Sequence, residues 1–228
     1  MANKILIIGD SGSGKSTSTR NLDPSTTFYI NCIGKPLPFR GWKKKYETYD
    51  ATTKKGNLLE SHDANQVNNA LKHVAANLPH IKTIIVDDAQ YIMSYEFMDR
   101  AKEKGFDKFT EIAQNMFNVL RTPDTLRTDL TVVYLAHSED VSANGYIRTK
   151  MKTIGKMLDD KITVEGLFSI VLIAYPVKQS DKTMEYVFVT QSNGATTAKA
   201  PMGMFAEIAI PNDLNEVLTT INEYNEGE

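Results

Sequence analysis

Apolar residues along this chain fall into two rhythms. Short unbroken runs appear at residues 5–8, 27–33, 83–86, 130–136, 167–175 and 184–190. Runs of this length, closed by glycine or acids, predict strands buried on both faces of a parallel sheet. The last is expected to fold back on the fifth as a hairpin. Between the runs the spacing changes. Val67, Ala70, Leu71, Val74 and Ala75 recur at helical intervals and predict a helix over 64–77. Residues 91–120 read as two helices broken near Gly105, and 212–224 as a C-terminal helix capped by Asn212 or Asp213. A helix should also follow Gly14 and end near Asp23-Pro24. Residues 34–56 show no period and read as a loop-rich insertion.

Strands alternating with helices predict an α/β fold with a mostly parallel central sheet flanked by helices. Ligand sites in such sheets lie at the carboxyl ends of the strands. Gly9, Asp87 and His137 are expected there, after the first, third and fourth strands.

Gly9-Asp10-Ser11-Gly12-Ser13-Gly14-Lys15-Ser16 matches G-x-x-x-x-G-K-[ST] in full. Its glycines let successive N–H groups turn toward an anion, and Lys15 adds a point charge for the outer phosphates. Ser16 offers a hydroxyl to Mg2+, and Thr17 supports the α-phosphate. The ligand expected is ATP with Mg2+. The run Ile84-Ile85-Val86-Asp87-Asp88 supplies the complementary acids. Asp87 would share the metal with Ser16. Asp88 would orient or deprotonate the attacking water, or else simply cap the next helix. His137 or Ser138, with His137 the better placed, could report on the γ-phosphate.

Composition narrows the setting. The chain has 228 residues, a net charge of -2 and one cysteine, Cys32. That excludes a disulfide framework and a cysteine zinc site, and fits a reducing cytoplasm. Neither a secretory leader nor a membrane span of about 18 apolar residues is expected. The whole chain, 1–228, reads as one unit. Charge is uneven within it. Residues 34–56 carry seven Lys/Arg against two acids, and 145–161 five against two, whereas 203–228 carry six acids and no Lys or Arg. Any nucleic acid would therefore be held by local patches. One is the aromatic and cationic run around Trp42, Lys43, Lys44 and Lys45, a mixture that suits single strands. As a plain structural feature it would be a solvated lysine run beside a packed tryptophan.

Two acids ending an apolar strand, with a polar residue closing the next, resemble the P-loop ATPases that insert an extra strand between the two motif-bearing strands. Small-molecule kinases are the rival, but no arginine-rich lid is present. With the 150–156 stretch, Thr190-Gln-Ser-Asn-Gly194 and Pro201-Met-Gly-Met-Phe205, the chain resembles phage-encoded AAA-family ATPases with a RecA-like core, including the Sak-type single-strand annealing group. The resemblance implies a RecA-like P-loop fold with a C-terminal β-hairpin. It also implies a homo-oligomer working on single-stranded DNA in recombination or replication, beside a recombination or single-strand-binding protein. It places a DNA loop after the fourth strand, with Arg148, Lys150, Lys152 and Lys156. It makes Lys178 and Lys182 candidates to reach a neighbouring subunit's nucleotide. The chain departs from the pattern at one point: the second strand ends in Asn31-Cys32-Ile33-Gly34, where RecA-like proteins often carry a catalytic glutamate. A switch or loader with little hydrolysis is a further alternative.

Overall fold

The computed structural model describes residues 1–143, 146–154, 158, 161–180 and 182–227. Strands β1 (Asn3–Gly9), β2 (Thr27–Asn31), β3 (Leu58–Glu60), β4 (Thr83–Asp87), β5 (Thr131–Ala143), β6 (Tyr146–Met151), β7 (Ile170–Lys178), β8 (Met184–Val189) and β9 (Ala209–Pro211) belong to one sheet. Their order is β3-β2-β4-β5-β1-β7-β8-β9, with β6 paired to β5 alone. The six strands from β3 to β7 run parallel. β8 folds back antiparallel on β7 as the expected C-terminal hairpin, and β9, which no apolar run marked, adds an antiparallel edge to β8.

Burial alternates across the central strands. Leu6 and Ile8 of β1, Ile84 and Val86 of β4, and Val132 and Tyr134 of β5 face one core. That core is covered by α2 (Ala64–Asn77), α3 (Tyr91–Asp99) and α4 (Asp107–Arg121). Ile5, Ile7, Ile85, Val133 and Leu135 face the other, against Leu214, Val217 and Ile221 of α5 (Leu214–Glu226). Burying an Ile or Leu contributes roughly 1.5–3 kcal/mol, and a one-residue slip would move every such side chain to the wrong face. The register that aligns Gly9 with His137 and Asn31 with Asp87 is held this way.

Some elements differ from the sequence expectation, each for a local reason. The segment after Gly14 is a 3-10 helix, Ser16–Asn21, and no α-helix. Ser18 and Thr19 hydroxyls donate back to the Lys15 and Ser16 carbonyls at 2.6 and 2.8 Å, competing with the α pattern. Strand β2 stops at Asn31 because that side chain closes a turn, accepting from Gly34 N and donating to Lys35 O. The 34–56 insertion contains a short helix, α1 (Trp42–Lys45). Strand β7 begins at Ile170, after a 3-10 turn over Val164–Leu167, and runs on to Lys178 because β8 pairs with it. Asp213 caps α5 by accepting from Asn215 N; Asn212 does not.

The largest difference is β5. It continues seven residues past Ala136 and joins β6 in a two-stranded antiparallel ribbon, from Ser138–Met151 outward. The ribbon lies outside the central sheet, touching the chain beyond it through the Thr149–Thr196 bridge, so polar residues serve as well as apolar ones and no apolar run marks it. Its residues include Ile147, which is 64% exposed.

Replacing the inaccessible Leu135 with Ala should cost about 2–5 kcal/mol, whereas Ile147→Ala in the ribbon should stay within about 0.5 kcal/mol. Equilibrium urea unfolding of both variants tests this; equal losses would place the ribbon inside the cooperative core.

Candidate functional site

The carboxyl ends of β1, β4 and β5 meet in a cleft of about 640 Å³. The loop after β1 enters it because two glycines permit a close approach. A Cβ on Gly9 would stand 2.5 Å from the Ala174 carbonyl of β7. Gly14 has φ +95 and is crowded by the Tyr186 ring and the Asn212 amide, each 3.1–3.2 Å from where a Cβ would lie. Neither position has room for a side chain.

Lys15 is buried, and its ammonium donates to the Gly9 and Asp10 carbonyls at 2.7 and 2.8 Å. Burial lowers its pKa to about 8, against the pull of Asp88 and Asp87. Ser16 Oγ donates to Asp87 Oδ1 at 2.9 Å, across 71 residues of sequence. Asp10 accepts from Ser138 Oγ at 2.5 Å, so the loop is also tied to the end of β5. Ser11, Gly12 and Thr17 line the cleft. Ser13 is buried, and its hydroxyl has no protein partner.

Asp87 has no exposed surface. Its second oxygen accepts from the Tyr29 hydroxyl at 2.7 Å. Burial, then the neighbouring Asp88 charge, pushes its pKa up to about 6. Asp88 sits in the left-handed region at φ +59, an uncommon conformation for a side-chain-bearing residue. Its carboxylate caps no helix. It is paired with the Lys35 ammonium on Oδ2, and His137 Nε2 lies 3.2 Å from Oδ1. Burial alone would raise its pKa, but the hydrogen bonds from His137 and Lys35 outweigh that and hold it below the ordinary value. His137 is fixed by its own N–H, which donates to Gln90 Oε1 at 3.0 Å.

Ser16 and Asp87 can hold Mg2+, their oxygens already converging at one point. Among the described residues no cluster of three His, Cys, Asp or Glu forms a closed metal cage.

The far end of the cleft is built by Arg20, Tyr186, Pro211 and Asn212. Arg20 donates to the Thr17 and Asn212 carbonyls at 3.2 and 2.8 Å, and Asn21 bonds to Asp213. The C-terminal segment is thus bolted to the phosphate loop. Arg20, Asn21, Tyr186 and Pro211 did not stand out in the sequence, nor did Tyr29 or Gln90, and Asn212 and Asp213 stood out only as candidate helix caps. Lys35 lay in the basic run but carried no separate signal.

The basic patches divide. Trp42 packs against the core, the Lys43 ammonium lies 5.7 Å from its ring centroid, and Lys45 donates to the Arg20 carbonyl at 2.6 Å. Trp42 and Lys45 therefore have structural partners, while Lys43 and Lys44 are exposed. Arg148 and Lys150 lie on β6, opposite Val141 and Glu139 of β5. Lys150 is 3.4 Å from Glu139, and Lys152 N donates to the His137 carbonyl at 2.8 Å. Lys156 lies outside the described residues. Lys178 and Lys182 flank the exposed β7–β8 turn. No helix among the described residues is long and apolar enough to cross a membrane.

A family model described as the AAA domain matches residues 1–202. No curated protein matches the chain.

The Lys15 shift has a measurable consequence. Its folded value lies below the unfolded one, so the ammonium, still the main form near pH 7, is lost as pH rises past about 8. An anion that favours it draws in a proton. Metal-free ATP should bind with level affinity near pH 7 and roughly tenfold more weakly per pH unit above about 8. Calorimetry in buffers of differing ionisation heat would show the proton uptake; a flat affinity up to pH 9.5 would refute it.

Proposed function

Because the chain belongs to the AAA domain family of P-loop ATPases, we propose that it binds and hydrolyses Mg-ATP and couples that cycle to single-stranded DNA as an oligomer. The observation that carries the nucleotide reading is the Ser16–Asp87 hydrogen bond, which unites the loop after β1 with the acids after β4 beside Lys15. The N–H groups of residues 10–16 and Lys15 take the phosphates. Ser16 and Asp87 take the metal, which supplies charge stabilisation to the transferring phosphoryl group. That order fixes the direction of the nucleotide. The base lies beyond Thr17, against Tyr186, Pro211 and Asn212, and the terminal phosphate lies toward Asp88 and His137.

Asp88 is the group placed to accept a proton from water. His137 orients it through Oδ1. His137 is also the last residue before the β5–β6 ribbon, so β5 runs from the phosphate end of the cleft into the ribbon whose other strand carries Arg148, with Lys152 just past its end. Cations on a ribbon can follow a single strand's phosphates, and the exposed Ile147 beside them offers an apolar contact. Lys178 and Lys182 are assigned to a neighbouring copy's nucleotide, where a charge supplied in trans would tie turnover to assembly. A cellular setting in phage recombination or replication, beside a single-strand-binding or recombination protein, rests on the family resemblance alone.

A second reading is an ATP-dependent switch with slow turnover. It is favoured by one observation: both oxygens of Asp88 are already engaged. ATP hydrolysis measured with and without single-stranded DNA, and with nucleoside acceptors, separates these readings. DNA stimulation is expected, and phosphoryl transfer to an acceptor would make the protein a kinase.

Lys15→Ala should weaken ATP binding about tenfold to a hundredfold, as loss of a charged hydrogen bond does; unchanged titration curves would refute the loop assignment. Asp88→Asn should keep ATP affinity and lower turnover about 10²- to 10⁴-fold, with undiminished turnover placing the base elsewhere. Arg148→Ala with Lys152→Ala should reduce the salt slope of single-strand binding by about 1.4, and an unaltered slope would exclude the ribbon.

A further inference from the structure

The loop after β2 carries a cation whose position the hydrolytic reading does not use. The Lys35 ammonium pairs with Asp88, whose side chain is 2% exposed, while the Lys35 side chain itself is 43% exposed at the cleft wall. Its backbone is held still. Asn31 brackets it by accepting from Gly34 N at 3.0 Å and donating to Lys35 O at 2.7 Å. Leu37 is buried in the core, and Pro36 and Pro38 on either side of it have their φ angles fixed. Only the side chain is left to move.

The other cations of the cleft are committed elsewhere. Arg20 is spent on the Thr17 and Asn212 carbonyls, and Lys15, held over the loop by the Gly9 and Asp10 carbonyls, is taken up by the phosphates seated there. A diphosphate seated on the loop ends near Lys15 and Ser16. A third phosphate extends past them toward Asp88, one residue beyond the metal ligand, and so brings two or more negative oxygens to the Lys35–Asp88 pair. An ammonium that exchanges one anionic partner for another keeps its charge compensated throughout; the cost falls on buried Asp88, which keeps His137 as its remaining partner, and must be offset by the new contact of Lys35 with the phosphate. A carboxylate on the same spot gains an open oxygen.

Resting on the ATP reading above, we propose that Lys35 is the residue that recognises the terminal phosphate of a nucleoside triphosphate, and that its transfer from Asp88 to that phosphate arms Asp88. Water then bonds to the terminal phosphorus as the bond to the bridging oxygen breaks. The electron pair leaves with the diphosphate, and the water's proton passes to Asp88 Oδ2. Lys35 thereby discriminates triphosphate from diphosphate and permits hydrolysis only when a triphosphate has arrived.

The test compares ADP with a non-hydrolysable ATP analogue, both with Mg2+, on the wild-type chain, Lys35→Ala and Lys35→Arg. Calorimetric titration of Lys35→Ala should show the analogue bound about tenfold more weakly or worse, with ADP affinity within about twofold. Retained ADP binding shows that the variant is folded. Lys35→Arg should recover most of the analogue affinity, and kcat for ATP should fall in Lys35→Ala. Equal losses for both nucleotides overturn this inference alone, since Lys35 would then add only general positive charge. A rise in kcat with unchanged analogue affinity overturns it as well, leaving Lys35 a restraint on Asp88. A wild-type chain that binds neither nucleotide overturns the ATP reading and this inference with it.

Discussion

Asp87 and Asp88 stand side by side at the end of β4, both almost without contact with solvent. Two adjacent buried carboxylates cost several kcal/mol each unless each is given partners. The surrounding structure supplies them from four segments: Ser16 and the charge of Lys15 from the loop after β1, Tyr29 from β2, Lys35 from the turn beyond it, and His137 from β5. The sheet register is what brings those segments to one place, so the packing of the core and the chemistry of the cleft are a single constraint. It also explains why the partners differ in kind. Asp87 is met by neutral hydroxyls, which leave it able to accept a metal, whereas Asp88 is met by a lysine and a histidine, which hold its charge in place.

The strand that separates β1 from β4 has a second consequence. Within the sheet β5 is as apolar as its neighbours. Past His137 it leaves the sheet; it carries His137 and Ser138 at the cleft and then pairs with β6, where Arg148 sits, with Lys152 just beyond. Ser138 bonds to Asp10 in the phosphate loop, and Lys152 N bonds to the His137 carbonyl. A displacement at the phosphate end therefore has a short, hydrogen-bonded route to the ribbon. The opposite wall is similarly tied: Arg20 and Asn21 join the phosphate loop's helix to Asn212 and Asp213, beyond the residues that match the family model.

Much of the fold was legible because it rests on local signals. The apolar runs of β1, β4 and β5 need only period and length to be read, and the G-x-x-x-x-G-K-[ST] spacing needs only its own eight residues. The extra strand between β1 and β4 followed from the resemblance and stands in the sheet order. What was not legible lacked such a signal. Strand β3 has three residues with one buried, too few to show a pattern. The β5 extension is solvated on both faces, and the Ser-Thr-Ser-Thr segment after Lys15 turns 3-10 because its hydroxyls bond to nearby carbonyls.

By itself the sequence determined a parallel α/β sheet, a G-x-x-x-x-G-K-[ST] loop at Gly9–Ser16 and a pair of acids one strand away, since each of these is a property of neighbouring residues. Only the tertiary structure decided what those groups meet. That Lys35 pairs with Asp88, that Tyr29 shares Asp87 with Ser16, that Trp42 and Lys45 serve packing, and that Asn212 closes on Gly14 are contacts between residues tens to nearly two hundred positions apart. No periodicity or motif encodes such pairs. They arise because burying the central strands fixes which chain ends lie together, and charges removed from water must then be satisfied by whatever side chains reach them.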